Sequence, residues 1–323
     1  MSVAVTGGSG VVGRSVVEHL IAADEEVWAL ARSSRSSELL ESLGARVVSG
    51  DLFDDDAVAR LVKGRSRVFH IAGVNEMCSL DTTDMWRVNV DGSIRVLDAS
   101  IRAGADRFIH TSSAVTVGEV GGSVGTEKTM HRGYFLSEYE RSKTVAERLV
   151  LDRSGDVEIV SVNPSSVQGP GRSTGTGALF LAIARGDLPF LVDTTISIVD
   201  IDDCARGHLL AAEKGEPGQR YLLSGPVVSV REAVRMMNEL TDRHRSPWFL
   251  RPSVFIALAS IVEAGSRLVH RQSPLCAESA RVLLHGHHYD GSRASEDLGL
   301  EYTRLDDTLR RSLDWFDSEG LLD

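Results

Sequence analysis

The 323-residue sequence predicts an α/β fold: a doubly wound parallel sheet followed by a smaller C-terminal lobe. Three observations predict it. Short β-branched runs alternate with longer amphipathic ones through the first half, a glycine-rich turn joins the first such pair, and the texture changes beyond Pro164. In chain order, the strands are expected at 2–6, 27–31, 46–49, 67–71, 106–112 and 157–163, each short enough for a buried parallel strand. The first begins almost at the N-terminus with the apolar run Val3 to Val5. Helices are expected between them at 11–23, 35–43, 54–63, 84–103 and 134–154, as crossover connections require.

After Pro164 the chain is rich in Gly, Ser and Thr as far as Gly177, and a second lobe starts there. Ser229 and Glu232 fit a capping box opening a helix at 230–241. The stretch 253–269 is apolar enough to be helical and is expected as a core helix or a lid over the substrate, with lipid contact the alternative. The domain reading is therefore a nucleotide-binding unit over 1–163, to which 196–226 returns, and a substrate lobe formed by 164–195 and 227–323.

Composition narrows the function classes. Hydrophobic residues at 42% and charged residues at 25% are ordinary globular usage, and no apolar run reaches the roughly 18–20 residues of a membrane helix. The chain is expected to be soluble, without a membrane partner, and cytoplasmic, because no basic leader precedes the first strand. Its net charge of -11 argues against nucleic acid, whose phosphates are bound through Lys and Arg, so any phosphate site must be local. Cys78, Cys204 and Cys276 are odd in number, widely spaced and without a CxxC pair; neither a disulfide nor a metal site is expected.

Thr6-Gly7-Gly8-Ser9-Gly10-Val11-Val12-Gly13 follows a strand and opens a helix, the setting of a dinucleotide-binding Rossmann turn. Small residues at Gly7, Gly10 and Gly13 let the backbone approach a pyrophosphate, which the free N–H groups of the helix N-terminus stabilise. The end of the second strand normally carries an acid for the adenosine ribose of NAD. Here it reads Ala29-Leu30-Ala31-Arg32-Ser33-Ser34-Arg35, with no acid. Arg32 and Arg35, with Arg14 on the first helix, can instead surround the 2′-phosphate of NADP, so NADP(H) is expected in preference to NAD(H); solvated surface arginines are the alternative.

Tyr139-Glu140-Arg141-Ser142-Lys143 places Tyr139 and Lys143 one helical turn apart on the same face. A free tyrosine ionises near pH 10, so exchanging a proton near neutrality requires a nearby cation, and Lys143 can supply it. An exposed helix with an i, i+4 pair is the bland alternative.

With these motifs the sequence resembles the extended short-chain dehydrogenase/reductase family, also known as the NAD-dependent epimerase/dehydratase family. The likeness spans nearly the whole chain through Gly50-Asp51-Leu52, Phe69-His70-Ile71-Ala72-Gly73, Asn89-Val90-Asp91-Gly92, Thr111-Ser112-Ser113, Asn163-Pro164-Ser165-Ser166 and Val199-Asp200-Ile201-Asp202-Asp203. The resemblance implies that Gly7, Ser9, Gly10, Val11, Val12 and Gly13 hold the pyrophosphate, that Asp51 and Leu52 bracket the adenine, and that Ile71, Ala72 and Gly73 line the wall beside the ribose. Asn163, Pro164 and Ser166 are expected against the nicotinamide.

It further implies that Tyr139 handles the hydroxyl proton, that Ser113 bonds the same oxygen and that Lys143 holds the nicotinamide ribose. Ser113 is preferred to Ser112 because it stands five residues before Gly118, as in the family's SSAxxxG-type segment; Ser112 should point to the opposite face. Asn89 is expected to tie backbone together, and Asp202 and Asp203 to serve a helix N-cap. A homodimer through helices near 84–103 and 137–153 is usual in the family. Three functions compete: a carbonyl reductase or alcohol dehydrogenase, a nucleotide-sugar epimerase, and a non-catalytic sensor, disfavoured because Tyr139 and Lys143 are both intact. The segment Asn163 to Gly171 is closer to the dihydroflavonol-reductase-like branch, so the reductase is preferred. His131, Tyr134 and Arg172 are pocket candidates, with surface roles as the alternative.

Overall fold

The structure, a computed structural model, describes residues 1–241, 246–268, 273 and 275–322. Seven strands form the main sheet: β1 (Ser2–Thr6), β2 (Glu26–Ala31), β3 (Arg46–Ser49), β4 (Arg67–His70), β5 (Arg107–Thr111), β6 (Glu158–Pro164) and β10 (Arg220–Leu223). Their order is β10-β6-β5-β4-β1-β2-β3, and every neighbouring pair is parallel. The chain runs outward from β1 in one direction and resumes on its other side at β4. A crevice must open at the carboxyl ends of these two strands, where the order reverses.

Helices cover both faces. On one, α1 (Val11–Ala22) packs with α8 (Ile201–Lys214), burying Val16, Val17, Leu20, Ala205 and Ala211 against β1 and β6. On the other, α3 (Asp55–Val62), α5 (Ser93–Arg102) and α6 (Glu138–Leu151) bury Val58, Leu61, Val96, Leu97 and Val150. Side-chain caps set several starts: Ser33 for α2 (Ser34–Ser42), Asp54 for α3 and Ser137 for α6, each accepting the N–H three residues on. The Ser137 cap explains why α6 begins at Glu138 rather than at 134.

The helix expected at 84–103 is three pieces: α4 (Thr83–Trp86), a π-helical segment at Arg87–Gly92, and α5. The wider turn lets the Asn89 side chain reach backward, where its Oδ1 accepts from Val74 N at 2.8 Å and its Nδ2 donates to Val74 O and Ser142 Oγ, both at 2.9 Å. Asn89 thus ties the loop after β4 to α6.

The lobe holds two small sheets. β7 (Ser166–Gln168), β9 (Thr195–Asp200) and β11 (Val227–Ser229) form one, and β8 (Phe190–Val192) pairs with β12 (Trp248–Leu250). Around them lie α7 (Thr176–Arg185), α9 (Val230–Thr241), α10 (Pro252–Leu268), α11 (Ala277–His285), a π-helical turn at Ala294–Leu298 and α12 (Leu305–Ser318). Phe180, Val234, Met237, Leu313 and Phe316 form their core. Ser229 accepts from Glu232 N at 3.0 Å at the start of α9. The N-cap of α8 is Asp200, which accepts from Asp202 N, whereas Asp203 is buried and accepts from Thr303.

Two expectations fail. Cys78 and Cys276 form a disulfide, 198 residues apart, because the fold sets the loop after β4 against the start of α11. A spacing rule cannot register such a pair. Of the readings offered for 253–269, the core helix does not hold, because among the described side chains of α10 only Ala259 is buried; Val269 lies outside the described residues.

Candidate active site

The crevice at β1 and β4 is a cavity of about 420 Å³. Its floor is the turn from β1 into α1. Gly7 has φ 73°, and a Cβ there would stand 2.5 Å from Ala72 N; a Cβ on Gly13 would stand 2.1 Å from Gly7 O. No larger residue fits either position, so strand, turn and helix close on one another without side chains between them. Gly10 caps α1 with no side-chain hydrogen bond, leaving the first-turn N–H groups open to an anion.

The cavity is bordered by Gly7 and the run Ser9 to Gly13, by Asp51 and Leu52 after β3, and by Ile71, Ala72 and Gly73 after β4. Arg32 borders it at the end of β2. Arg35 stands exposed on α2 away from it, and Arg14 is paired with Glu18 at 2.9 Å. Only one of the three arginines therefore faces the cleft. Phe53 also borders it, its ring lying 3.9 Å beneath the Arg87 guanidinium. The sequence reading stopped one residue short of this aromatic. These residues fit a dinucleotide, since a cradle that even a methyl group would fill is lined with open backbone donors.

A second cavity of about 370 Å³ adjoins the first and is bordered by Ser113, Tyr139, Lys143, Pro164 and Ser166. β5 delivers Ser113 at its carboxyl end, where the chain turns into a short 3-10 segment, and α6 delivers Tyr139 and Lys143 one turn apart. The side chains of Ser113 and Tyr139 meet at this second cavity, which both residues border. Lys143 is 4% exposed and donates to Thr111 O at 2.7 Å. Ser112 is buried, and its Oγ is shut away from the cavity with no hydrogen-bond partner among the described residues.

Burial dominates the protonation states. It raises the Tyr139 phenol above its ordinary value, opposed by the Ser113 hydroxyl and by the charge of Arg172. It pushes the Lys143 ammonium down to about 8, against the pull of the Glu147 carboxylate. The cation acting on the phenol is thus Arg172, which borders both cavities. A Cβ on Gly177 would stand 2.4 Å from Arg172 O, so the glycine-rich turn before α7 closes directly on this residue.

Asn163 lies behind the site rather than on either cavity. It is fully buried, and its amide donates to Ser113 O at 3.2 Å and Thr116 Oγ1 at 2.9 Å, which fixes the backbone that presents the serine. His131 accepts from Gly133 N and lies near Glu140, and Tyr134 is exposed beneath Arg132; neither borders a cavity. The far wall carries a cluster absent from the sequence reading. Glu119 is buried, and although burial opposes ionisation, hydrogen bonds from His285 and His287 hold its carboxyl down to about 2. His287 Nδ1 stands 2.6 Å from Glu119 Oε1 and 2.8 Å from the Tyr289 hydroxyl, and His287 and Tyr289 face the cavity. The His-Gly-His spacing was the available signal, but its carboxylate partner is remote in sequence. Met77, Ile196, Val282 and Leu283 make the remainder of that wall apolar.

Comparison with known proteins agrees with this geometry. Residues 3–224 match the NAD dependent epimerase/dehydratase family. The chain is 29% identical over 329 residues to a Synechocystis sp. protein named "Putative dihydroflavonol 4-reductase", covering 98% of this chain and 94% of that one. It is 32% identical over 239 residues to a 3 beta-hydroxysteroid dehydrogenase/Delta 5-->4-isomerase of Mycobacterium tuberculosis, covering 69% of this chain and 64% of that one. Among solved structures, that of gox2253 superposes with a TM-score of 0.87 at 28% identity over 100% of this chain and 99% of that one.

Proposed function

The chain belongs to the NAD dependent epimerase/dehydratase family and is an NAD(P)-dependent oxidoreductase, and we propose that it interconverts a carbonyl and a secondary alcohol on an apolar small molecule with exchangeable NADP(H). The observation that carries this reading is the convergence of Ser113, Tyr139 and buried Lys143 on one cavity that adjoins the Gly7–Gly13 cleft.

The nicotinamide supplies or takes up the hydride when bound. The residues of the chain do the rest. Gly7 and the open N–H groups of α1 hold the pyrophosphate, and Arg32 meets the 2′-phosphate. In the reducing direction the Tyr139 hydroxyl donates its proton to the carbonyl oxygen, while the Ser113 hydroxyl hydrogen-bonds that same oxygen. Burial alone would make Tyr139 a reluctant acid. The positive charge of Arg172 favours the phenolate left behind. Lys143, which donates to Thr111 O, would hold the nicotinamide ribose. Pro164 and Ser166, which border the same cavity, would lie against the nicotinamide. In the oxidising direction the same proton path runs backward.

The apolar wall of Met77, Ile196, Val282 and Leu283 supports a largely hydrocarbon substrate, and the name of the steroid dehydrogenase relative points the same way. A homodimer through α5 and α6, on the cytoplasmic side, completes the reading. No described helix is long and apolar enough to cross a membrane. The reaction is tested by supplying NADPH and a panel of apolar ketones to the purified enzyme. One NADPH consumed per alcohol formed supports the proposal. Repeated turnover without added cofactor, and with no net oxidation of bound nucleotide, overturns it in favour of epimerisation.

A further inference from the structure

α10 is a 17-residue helix that water surrounds on the wrong side. Its inner stripe is Phe255, Ala259, Glu263 and Ser266, buried or half-buried at helical spacing, and it packs on α11, whose first N–H, that of Ala277, donates to Glu263 Oε2 at 2.8 Å. The other face presents Val254, Leu258, Ile261, Val262 and Leu268 to solvent, with Ile261 68% and Leu268 83% exposed. A contiguous apolar face of this kind marks an interaction surface. Just before the helix, Trp248 is 76% exposed and lies in register with Phe190, itself exposed, across β12 and β8. Indole and phenyl rings beside an apolar helix are what a headgroup boundary accommodates.

Charge identifies the partner. The chain carries a net -11, yet the segment 242–272 holds Arg243, Arg245, Arg251, Arg267 and Arg271 against only Asp242 and Glu263. A basic, apolar segment in an acidic protein is complementary to anionic headgroups. A second copy of the chain would meet it poorly, since an isologous contact brings two segments of the same basic charge into one interface.

We propose that α10 is a membrane-docking helix that seats this protein on an anionic phospholipid bilayer, its apolar face in the interface and Arg251, just before its start, against lipid phosphates. The chain then lies on the membrane without crossing it, contrary to the sequence expectation of no membrane partner. α11 lies between α10 and the catalytic cavity, where its Val282 and Leu283 form part of the apolar wall. Docking therefore brings the cavity close to a store of apolar alcohols and ketones. The docking itself does not depend on the proposed reaction.

The test is sedimentation of the full-length protein with phosphatidylcholine vesicles, with and without phosphatidylglycerol. Wild-type protein should pellet with the anionic vesicles and be released as salt is raised. The double substitution Leu258→Asp and Ile261→Asp alters two exposed side chains, so melting temperature and NADPH affinity should hold while vesicle partitioning falls at least about 10-fold. Three results would overturn the proposal: no binding to anionic vesicles, undiminished binding by the folded variant, or a wild-type dimer that the variant dissolves, which would mean that a second copy covers the face. No turnover is measured, so failure here is distinct from failure of the proposed reaction.

Discussion

Replacing Lys143 with Met should make the cofactor-free protein more stable while removing its activity. Burial pushes the ammonium from 10.5 down to about 8, so at neutral pH the folded protein holds a charge that it would give up more readily than the unfolded chain. At roughly 1.4 kcal/mol per pH unit this difference costs about 3 kcal/mol. Met keeps the length and removes the charge, but it also leaves Thr111 O without its 2.7 Å donor, which takes back about 1 kcal/mol or more. The net gain is then about 1–2 kcal/mol, a rise of a few degrees in Tm. The pH dependence has a definite sign. Between about 8 and 10.5 the unfolded chain binds more protons at this site than the folded one, so wild-type stability rises with pH relative to the variant. The advantage of Lys143→Met is full below pH 8 and fades as pH approaches 10.5. Melting curves of both proteins without cofactor at several pH values test this. A folded variant that melts at or below wild type at pH 7 would refute the claim that buried Lys143 is held at a cost.

Arg32→Ala should weaken NADPH by about 1.5–3 kcal/mol and leave NADH nearly unchanged; equal losses in a titration would remove Arg32 from the reading of the 2′-phosphate. Gly7→Ala sets a methyl 2.5 Å from Ala72 N at a φ of 73°, and should lower both Tm and cofactor affinity; wild-type values for both would mean that the turn is not tight. Cys78→Ser should destabilise by about 2–4 kcal/mol, because it opens a link 198 residues long. A reducing agent should then lower the Tm of wild type but not of the variant.

What the sequence made legible was what is local in the chain. A strand, a turn that needs glycine at positions 7 and 13, and the start of a helix follow one another within 2–13, so their geometry can be read before any packing is known. Tyr139 and Lys143 share a helix face by their spacing alone. What stayed hidden depends on distant contacts. Arg172 borders the same cavity as Tyr139 although the two are 33 residues apart, and Asn163, expected on the cofactor, spends its amide behind Ser113. The Cys78–Cys276 link and the Glu119–His287 contact each join segments more than 160 residues apart. The break at Arg87–Gly92 was hidden for another reason: a π-helical segment hardly disturbs the apolar pattern of the helix that contains it.

The central claim is that Tyr139 moves the proton, and Tyr139→Phe tests it most directly. The substitution removes one oxygen while leaving the ring in place. With a ketone that the wild-type enzyme reduces, NADPH consumption should fall by about 100-fold or more, as for loss of a general acid, with NADPH affinity and Tm retained. Near-normal turnover by a folded, cofactor-binding Tyr139→Phe protein would contradict the assignment.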